Sequence, residues 1–238
     1  MQAWILVRGS EHLRLRRASL RWHGATLMQI VHTSLGGIGH MIVSMIAWIF
    51  LMRILARVST EAMAGATITI RIMMFTLMPA LGMSNAAATR VGQNLGAGEP
   101  ERAEAAVWRI GWMNMAFTLA VSVAFFFLHD ELVAPFTDDA QVVAIGGEWF
   151  AIPSYSYFVS GWWMVSVQAF NGAGDTMTPT WINLVFFWLI QIPLAWVLAL
   201  PLGWAHSGVF WGVLVSETAV GLFTLWLFSR GRWKTARV

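Results

Sequence analysis

The sequence predicts an all-α protein that crosses a lipid bilayer several times. Of its 238 residues, 58% are hydrophobic and only 11% are charged, which lies well outside the composition of soluble domains. Long segments lack Asp, Glu, Lys and Arg altogether, and the longest of these covers residues 176–216. A helix that spans a bilayer needs about 20 apolar residues. These segments are therefore expected to be transmembrane helices.

Six spans account for the uncharged segments. Ser59-Thr60 is expected to cap the second span, and Pro201-Leu202-Gly203 to divide residues 176–216 into two spans. Residues 1–26 are expected to be a cytoplasmic interlobe linker that begins with the end of a preceding helix, and residues 230–238 a basic cytoplasmic tail. The six-helix transmembrane lobe at 27–229 then consists of spans at about 27–52, 61–84, 106–128, 146–169, 179–200 and 207–228.

The positive charges are distributed unevenly over the loops between these spans. If successive loops lie on opposite sides, one side carries Arg53 and Arg57, and all other Lys and Arg outside the membrane lie on the opposite side. The loop at 129–140 contains acidic residues and neither Lys nor Arg. Lys and Arg concentrate in cytoplasmic loops. The pattern therefore predicts a multi-pass protein of the plasma (inner) membrane with both termini in the cytoplasm.

The composition also argues against several kinds of site. The sequence has no cysteine, which excludes disulfides, thiolate metal ligands and thiol nucleophiles. It contains neither HExxH nor GxSxG, so we expect no metal centre, no cofactor and no enzyme activity. The pI is about 10.2, but the basic residues lie in short flanks between apolar segments. The lipid bilayer is therefore an expected partner, and nucleic acid is not.

Two of the predicted cytoplasmic loops share a pattern of Asn, then Gly-Ala-Gly, then an acid. They are Asn94-Leu95-Gly96-Ala97-Gly98-Glu99-Pro100 and Asn171-Gly172-Ala173-Gly174-Asp175. Glycine adopts the left-handed conformation that ends many helices, and Pro100 and Thr178-Pro179 are expected to start the helices that follow. Both loops are therefore interpreted first as tight turns between helices. Neither contains the GxxxxGK[ST] pattern of a phosphate-binding loop.

These loops resemble the two cytoplasmic signatures of the multidrug and toxic compound extrusion (MATE) transporters. The resemblance implies the carboxyl-terminal six-helix lobe of a transporter of the MOP superfamily. It also implies export of organic cations and other small amphiphiles in exchange for H⁺ or Na⁺. The residues that carry the resemblance are Gly92, Gln93, Asn94, Gly96 and Gly98 in the first signature, and Gly172, Gly174, Asp175 and Pro179 in the second.

A single lobe departs from the twelve-helix architecture that this resemblance implies. Alternating access in such transporters requires two lobes that rock about a central site. We therefore expect either a fragment that lacks its amino-terminal lobe, or a half-transporter that pairs with a second half. The short apolar stub Ala3–Val7, followed by a basic segment, favours a fragment.

Two charged residues are expected near the middle of spans, Glu217 in the sixth and Arg71 in the second. A charge near the bilayer centre costs at least about 2.5–3.5 kcal/mol on insertion scales, so it normally faces a cavity or a partner. Glu217 is a candidate for binding the coupling proton or a cationic substrate, with Arg71 setting its charge state by proximity. The alternative is a structural ion pair between the two residues.

The fourth span carries a candidate aromatic wall. Tyr155, Phe158 and Trp162 share one helical face, which is suited to contact with a hydrophobic cation. A lipid-facing aromatic belt is the alternative. Gln168 is a further polar residue of the same span.

His40, near the middle of the first span, titrates in the range that suits proton coupling, and a neutral histidine bonded to a neighbouring helix is the alternative. Asn183 is a candidate donor in the cavity, although an interhelical hydrogen bond explains it equally well. Some members of the family carry an acid on the helix matching the first span, and residues 27–52 contain none.

The leading functional prediction is secondary active multidrug efflux, with this chain as one half of the transporter. A lipid-linked oligosaccharide flippase of the same superfamily is the first alternative, for which a strongly cationic cavity is expected. A half-lobe that does not transport is the second. The single intramembrane arginine argues against the flippase, and the sequence identifies neither the substrate nor the coupling ion.

Overall fold

The computed structural model describes residues 24–235, which form helices joined by turns. The chain divides into two compact units, residues 1–36 and residues 37–238. The described residues of the first unit are helical. The second unit contains the transmembrane core and all of the sites considered below.

Seven helices lie in the described part of the chain: α1 (Gly24–Ala56), α2 (Thr60–Gly96), α3 (Pro100–Phe127), α4 (His129–Val133), α5 (Ala140–Gly172), α6 (Met177–Ala199) and α7 (Ala205–Ser229). Short 3₁₀ turns occupy Ala134–Phe136 and Arg232–Thr235. Four of the helices, α2, α3, α6 and α7, are long and apolar enough to cross a membrane. The prediction of an all-α polytopic membrane protein is therefore confirmed.

Helices lie over each of the predicted spans, but some extend further than the sequence predicts. α2 continues beyond the predicted span at about 61–84 to Gly96, and α3 begins at Pro100, as expected from the first signature loop, ahead of the predicted span at about 106–128. The predicted boundaries follow the apolar runs, whereas the helices continue because residues 85–96 contain good helix formers up to a terminal glycine. The Oγ of Ser59 accepts from the backbone N–H of Ala62 at 3.0 Å, so the predicted cap of α2 is confirmed.

α5 is the central helix of the second unit and packs against α2, α3 and α7. Small residues allow close approach at both ends of the α2–α5 contact. A Cβ on Gly65 would lie 2.9 Å from the backbone nitrogen of Gly146, and a Cβ on Gly172 would overlap the carbonyl oxygen of Ala88. Close backbone contact of this kind is how helices associate tightly in membranes.

α6 contains a segment of wider helical turns. Residues Leu184–Gln191 form a π-helix that ends two residues before Pro193, which cannot donate a backbone hydrogen bond. The Oγ of Ser216 in α7 donates to the carbonyl oxygen of Phe186 at 2.9 Å. Because this bond satisfies a carbonyl in the irregular segment, the segment is compatible with the membrane interior.

Candidate functional site

A cavity of about 330 Å³ lies among α1, α2, α5 and α7. Its lining is mainly apolar and aromatic, with a carboxylate and hydroxyl groups as polar features. The residues that line it are Trp48, Ile70, Met73, Met74, Leu77, Trp149, Pro153, Tyr157, Ser160, Trp163, Met164, Val213 and Glu217. A mostly apolar pocket with few convergent polar groups is typical of a small-molecule site.

The carboxylate of this cavity belongs to Glu217 of α7. One of its oxygens accepts a hydrogen bond of 3.0 Å from the Oγ of Ser160 in α5. Within the described part of the chain, Glu217 has no other hydrogen-bond donor and forms no ion pair. A carboxylate can accept several hydrogen bonds, so much of the capacity of Glu217 remains open to a ligand.

Aromatic side chains surround this carboxylate. The rings of Trp48 and Trp149 pack edge to face with centroids 6.3 Å apart. The hydroxyl of Tyr157 lies 3.0 Å from the Oγ1 of Thr76, which fixes the position of the ring. The indole N–H of Trp163 is buried and has no hydrogen-bond partner among the described residues. A negative charge beside aromatic faces is chemically suited to an organic cation.

Arg71 does not reach this cavity. Its side chain is exposed, and it forms no ion pair with Glu217 or any other acid in the chain from residue 24 to residue 235. The α2 residues that line the cavity are Ile70, Met73, Met74 and Leu77, which follow helical spacing along one face. Arg71 is one position from Ile70 and projects about 100° away from it around the helix. The two intramembrane charges therefore lie apart.

The predicted aromatic wall of Tyr155, Phe158 and Trp162 lies on a different face of α5 from the cavity. Trp162 is buried against Trp108 of α3, with ring centroids 4.6 Å apart. Tyr155 is 60% exposed and lines a shallow groove with Phe158. Helical spacing assigns the three residues to one face, but periodicity alone does not reveal which face of a helix lines a cavity.

Asn183 and Gln168 also lie outside the cavity lining. Asn183 is buried in α6 and donates to the Oγ of Ser44 in α1 at 2.7 Å, which is an interhelical hydrogen bond. Gln168 accepts from the amide of Asn171 at 3.4 Å, near the end of α5. The side chain of His40 lies outside the described residues.

A second carboxylate between α5 and α7 was not identified from the sequence. Glu148 accepts from the Oγ of Ser207 at 2.5 Å, and its other oxygen lies 2.9 Å from the Nε2 of His206. These three residues join the start of α5 to the start of α7. Glu148 falls close to the end of an apolar segment, where a charge looks like an ordinary flanking residue.

The two signature loops have the same backbone turn. Gly98 and Gly174 have φ angles of +76° and +80°, which are left-handed. The N–H of the residue after each glycine returns to a carbonyl five residues earlier, at 2.8 Å in the first loop and 3.0 Å in the second. This is the Schellman arrangement that ends helices. The expectation that the glycines cap the helices agrees with this geometry.

The start of α6, after the second loop, differs in one respect from the expected Thr178-Pro179 start. Asp175 accepts both the backbone N–H and the hydroxyl of Thr178, at 3.0 and 2.6 Å, so the carboxylate rather than the threonine supplies the capping oxygen. α6 consequently begins at Met177, and Pro179 is its third residue and buried.

The other signature residues contribute to the helix ends and to packing. A Cβ on Gly92 would lie 3.3 Å from the carbonyl oxygen of Gly172, so the two signatures meet where α2 and α5 cross. The amide of Asn94 donates to the carbonyl oxygen of Arg90 at 2.7 Å, and the carbonyl of Gln93 accepts the N–H of Ala97. Gly96 ends α2. None of the signature residues is in the lining of the cavity around Glu217.

Among the residues described, no group of three or more His, Cys, Asp or Glu side chains is placed to hold a metal ion. The cavity therefore offers one carboxylate, nearby hydroxyls and aromatic faces for ligand binding.

Residues 37–197 match the family model described as MatE. The chain is 33% identical over 165 residues to the probable multidrug resistance protein NorM of Xanthomonas campestris pv. campestris, with 69% of this chain and 36% of that protein covered. It is 27% identical over 186 residues to the protein of that name from Thermotoga maritima, with 78% and 40% covered. The chain thus spans well under half the length of these relatives.

Solved structures show the same fold. The Vibrio cholerae MATE transporter VcmN in its bent form superimposes with a TM-score of 0.83 at 19% identity, with 92% of this chain and 49% of that chain covered. The MATE transporter ClbM in complex with Rb⁺ superimposes with a TM-score of 0.82 at 20% identity, with 89% and 50% covered. The family model covers residues 37–197, which is most of the chain, and the solved structures share its fold. The chain therefore belongs to the MatE family of membrane transporters.

Proposed function

We propose that this chain is one six-helix lobe of a secondary active multidrug exporter of the plasma membrane, with both termini in the cytoplasm. Family membership and the four long apolar helices support a transporter within the bilayer. The names of the curated relatives describe multidrug resistance proteins. The six crossings and their orientation rest on the helix positions and on the distribution of Lys and Arg.

The observation that carries the proposal is the incompletely bonded carboxylate of Glu217 in an aromatic cavity. A charged group inside a membrane is costly, so its retention in an apolar helix indicates a role in binding ions or substrates. Ser160 donates one hydrogen bond at 3.0 Å, and the described chain supplies no compensating cation. A cation from solution is the natural partner of this group.

Exchange follows from competition for that one carboxylate. When Glu217 is ionised, it attracts an organic cation into the cavity. When it binds H⁺ or Na⁺ instead, the negative charge is neutralised and the organic cation is released. If the site opens to each side of the membrane in turn, entry of the ion drives exit of the substrate.

The cavity lining favours amphiphilic cations of varied shape. Trp48, Trp149 and Trp163 supply flat aromatic surfaces, and Met73 and Met74 supply flexible side chains that adapt to different ligands. No Lys or Arg belongs to the lining. A pyrophosphate-linked oligosaccharide would need cationic groups there, so the lining favours drug efflux over the flippase.

Alternating access also requires a second lobe. The chain covers between 36% and 50% of the relatives and solved structures described above. We propose that the face of this lobe that points away from the lipid packs against an amino-terminal lobe or a second half-transporter. Rocking of the two lobes would then expose Glu217 to each side of the membrane in turn.

The test is efflux of a fluorescent organic cation from cells that produce this chain together with a six-helix amino-terminal lobe. Glu217→Gln should abolish efflux while membrane levels remain normal. Glu148→Gln, a matched change in the other carboxylate between α5 and α7, should retain most of it. Efflux by Glu217→Gln equal to that of the unchanged chain would refute the role of Glu217, and a chain that is inactive with every partner lobe would favour the half-lobe that does not transport.

The coupling ion follows from the same assembly in liposomes. A pH gradient alone should drive efflux if the ion is H⁺, and a sodium gradient alone should drive it if the ion is Na⁺. Efflux driven by neither gradient would contradict secondary active transport.

A further inference from the structure

A second pocket lies between the end of α2 and the start of α3, away from the cavity around Glu217. Its volume is about 490 Å³. The residues that line it are Arg90, Asn94, Arg102, Ala105, Ala106, Arg109 and Ile110. Three of these carry positive charge and none carries negative charge, so the pocket is strongly cationic.

The nearby acids do not neutralise these arginines. Within the described part of the chain, neither Arg90, Arg102 nor Arg109 forms an ion pair. The two acids in the first turns of α3, Glu101 and Glu104, lie instead 3.0 and 2.6 Å from the Nζ of Lys234. Because Lys234 engages these carboxylates outside the pocket, the positive charge of the arginines remains uncompensated.

The positions of the arginines are suited to a phosphate group. Arg102 and Arg109 are seven residues apart on one face of α3, which separates them by roughly 10 Å along the helix axis. The small residues Ala105 and Ala106 lie between them and leave room for a ligand. Arg90 faces them from α2. Each guanidinium group can donate paired hydrogen bonds to phosphate oxygens. The three arginines are therefore better suited to a phosphate than to a monatomic anion.

The surface next to the pocket is apolar. Ile110 closes one end of the pocket, and α3 continues from there with Trp112 and Met113, which are 62% and 64% exposed. α3 is one of the helices long and apolar enough to span a membrane. An occupant that fills the pocket and follows this surface must combine an anionic phosphate head with a hydrocarbon chain.

We infer that the pocket between α2 and α3 binds the headgroup of an anionic phospholipid, whose acyl chains lie along the exposed face of α3. Basic pockets between transmembrane helices on the cytoplasmic side are a known way of holding such headgroups. The charge distribution predicts that this pocket faces the cytoplasm. The site is separate from the transport cavity and does not depend on Glu217.

The test is lipid binding by the full chain, purified in detergent and titrated with phosphatidylglycerol, with the bound lipid counted by native mass spectrometry. The double variant Arg102→Gln/Arg109→Gln should bind phosphatidylglycerol on the order of tenfold more weakly, because each arginine near a membrane surface contributes appreciably to anionic lipid binding. The matched control is Arg71→Gln/Arg230→Gln, which removes the same charge at two positions outside the arginine-lined pockets and should have little effect. Phosphatidylcholine should bind weakly to all three proteins.

Several outcomes would overturn the inference. Equal losses in the two double variants would show that net charge, rather than the pocket, governs binding. Binding of inorganic phosphate, measured by calorimetry, without any binding of phosphatidylglycerol would show that the pocket holds free phosphate and not a lipid. If the glutamine variant lost its helical circular dichroism, the test would use Arg102→Lys/Arg109→Lys instead. Lysine keeps the charge but cannot form the paired hydrogen bonds to phosphate, so lipid binding should weaken while the chain stays folded. Unchanged binding in this variant would contradict the proposed geometry.

Discussion

The two carboxylates between α5 and α7 have contrasting surroundings. Glu148, near the start of α5, contacts both His206 and Ser207 of α7. Glu217, on α7, receives one hydrogen bond from Ser160 of α5. Ser160 lies twelve residues beyond Glu148, so the two sites are roughly 18 Å apart along the same helix. The same pair of helices therefore holds one carboxylate with two protein partners and another that is largely open to ligand.

This difference is the basis for proposing a structural role for Glu148 and a binding role for Glu217. The partners of Glu148 use both of its oxygens, so it joins the helix ends and leaves little capacity for a ligand. Glu217 faces a cavity lined by aromatic rings, in which its charge is not compensated by the described protein. A carboxylate whose protein partners are incomplete is the one that a mobile cation stabilises most.

The largest expected effect on stability comes from Glu148. Glu148→Ala should lower the free energy of unfolding by about 1–3 kcal/mol, because charged hydrogen bonds of this kind are lost and His206 and Ser207 lose their partner. Unfolding by titration with sodium dodecyl sulfate measures this change. Glu217→Gln, which removes the charge of the open carboxylate and keeps its side-chain volume, should leave stability equal or higher, and a larger loss there than in Glu148→Gln would reverse the assignment of roles.

A smaller effect is expected from the one donor to Glu217. Ser160→Ala should change the affinity for an organic cation by a few-fold, since one hydrogen bond contributes about 0.5–1.5 kcal/mol. The fold should remain intact, because the substitution is small and lies at the edge of a cavity. Ser207→Ala is the control at the other carboxylate and should leave cation affinity unchanged. An unchanged affinity in Ser160→Ala would mean that this bond does not shape the site.

The smallest effect on stability is expected at the carboxylates of Glu101 and Glu104, whose cationic partner is Lys234 of the same chain. Hydrogen bonds with Glu104 and Glu101 raise the pKa of Lys234 above its ordinary value. A raised pKa contributes stability that is complete below the usual lysine pKa of about 10.4 and is lost as pH rises through the higher folded value. The contact should therefore persist at neutral pH and loosen only in strongly alkaline solution.

The ¹⁹F NMR resonance of 5-fluorotryptophan at the buried Trp233, beside Lys234, reports on this contact, and its absence in Trp233→Phe identifies it among the 15 tryptophans. Lys234→Met should remove the alkaline change and have little effect on stability at neutral pH, because surface ion pairs contribute little. An alkaline change that persists in Lys234→Met would have another cause.

The sequence was sufficient to predict the helices and to single out Glu217. A long segment without charged residues predicts a transmembrane helix. A carboxylate within such a segment is conspicuous because burying its charge in a bilayer costs free energy. α2 extends beyond the predicted span at about 61–84, because residues beyond an apolar run can still form helix. The turns of the two loops are also predictable, because a glycine that ends a helix in the left-handed conformation depends on neighbouring residues and not on distant contacts.

The arrangement around Glu217 could not be predicted in the same way. Its partner Ser160 is distant in sequence, and many serines occur in apolar helices. The three aromatic residues predicted as a wall share a face by helical spacing, but α5 lines the cavity with the roughly opposite face, which carries Tyr157 and Ser160. The rotation of each helix about its axis depends on packing against its neighbours, and this also explains why Arg71 does not meet Glu217.

The most direct test of the account is the binding of ethidium, a fluorescent organic cation, to the purified chain as a function of pH. The account predicts that the unchanged chain and Glu148→Gln bind ethidium at neutral pH and lose affinity as the pH falls, because protons compete for Glu217. Glu217→Gln should bind more than tenfold more weakly, since removing one partner of a buried charge pair is costly, and should show little dependence on pH. Equal, pH-independent binding by the unchanged chain and Glu217→Gln would contradict the claim that this carboxylate is the cation site.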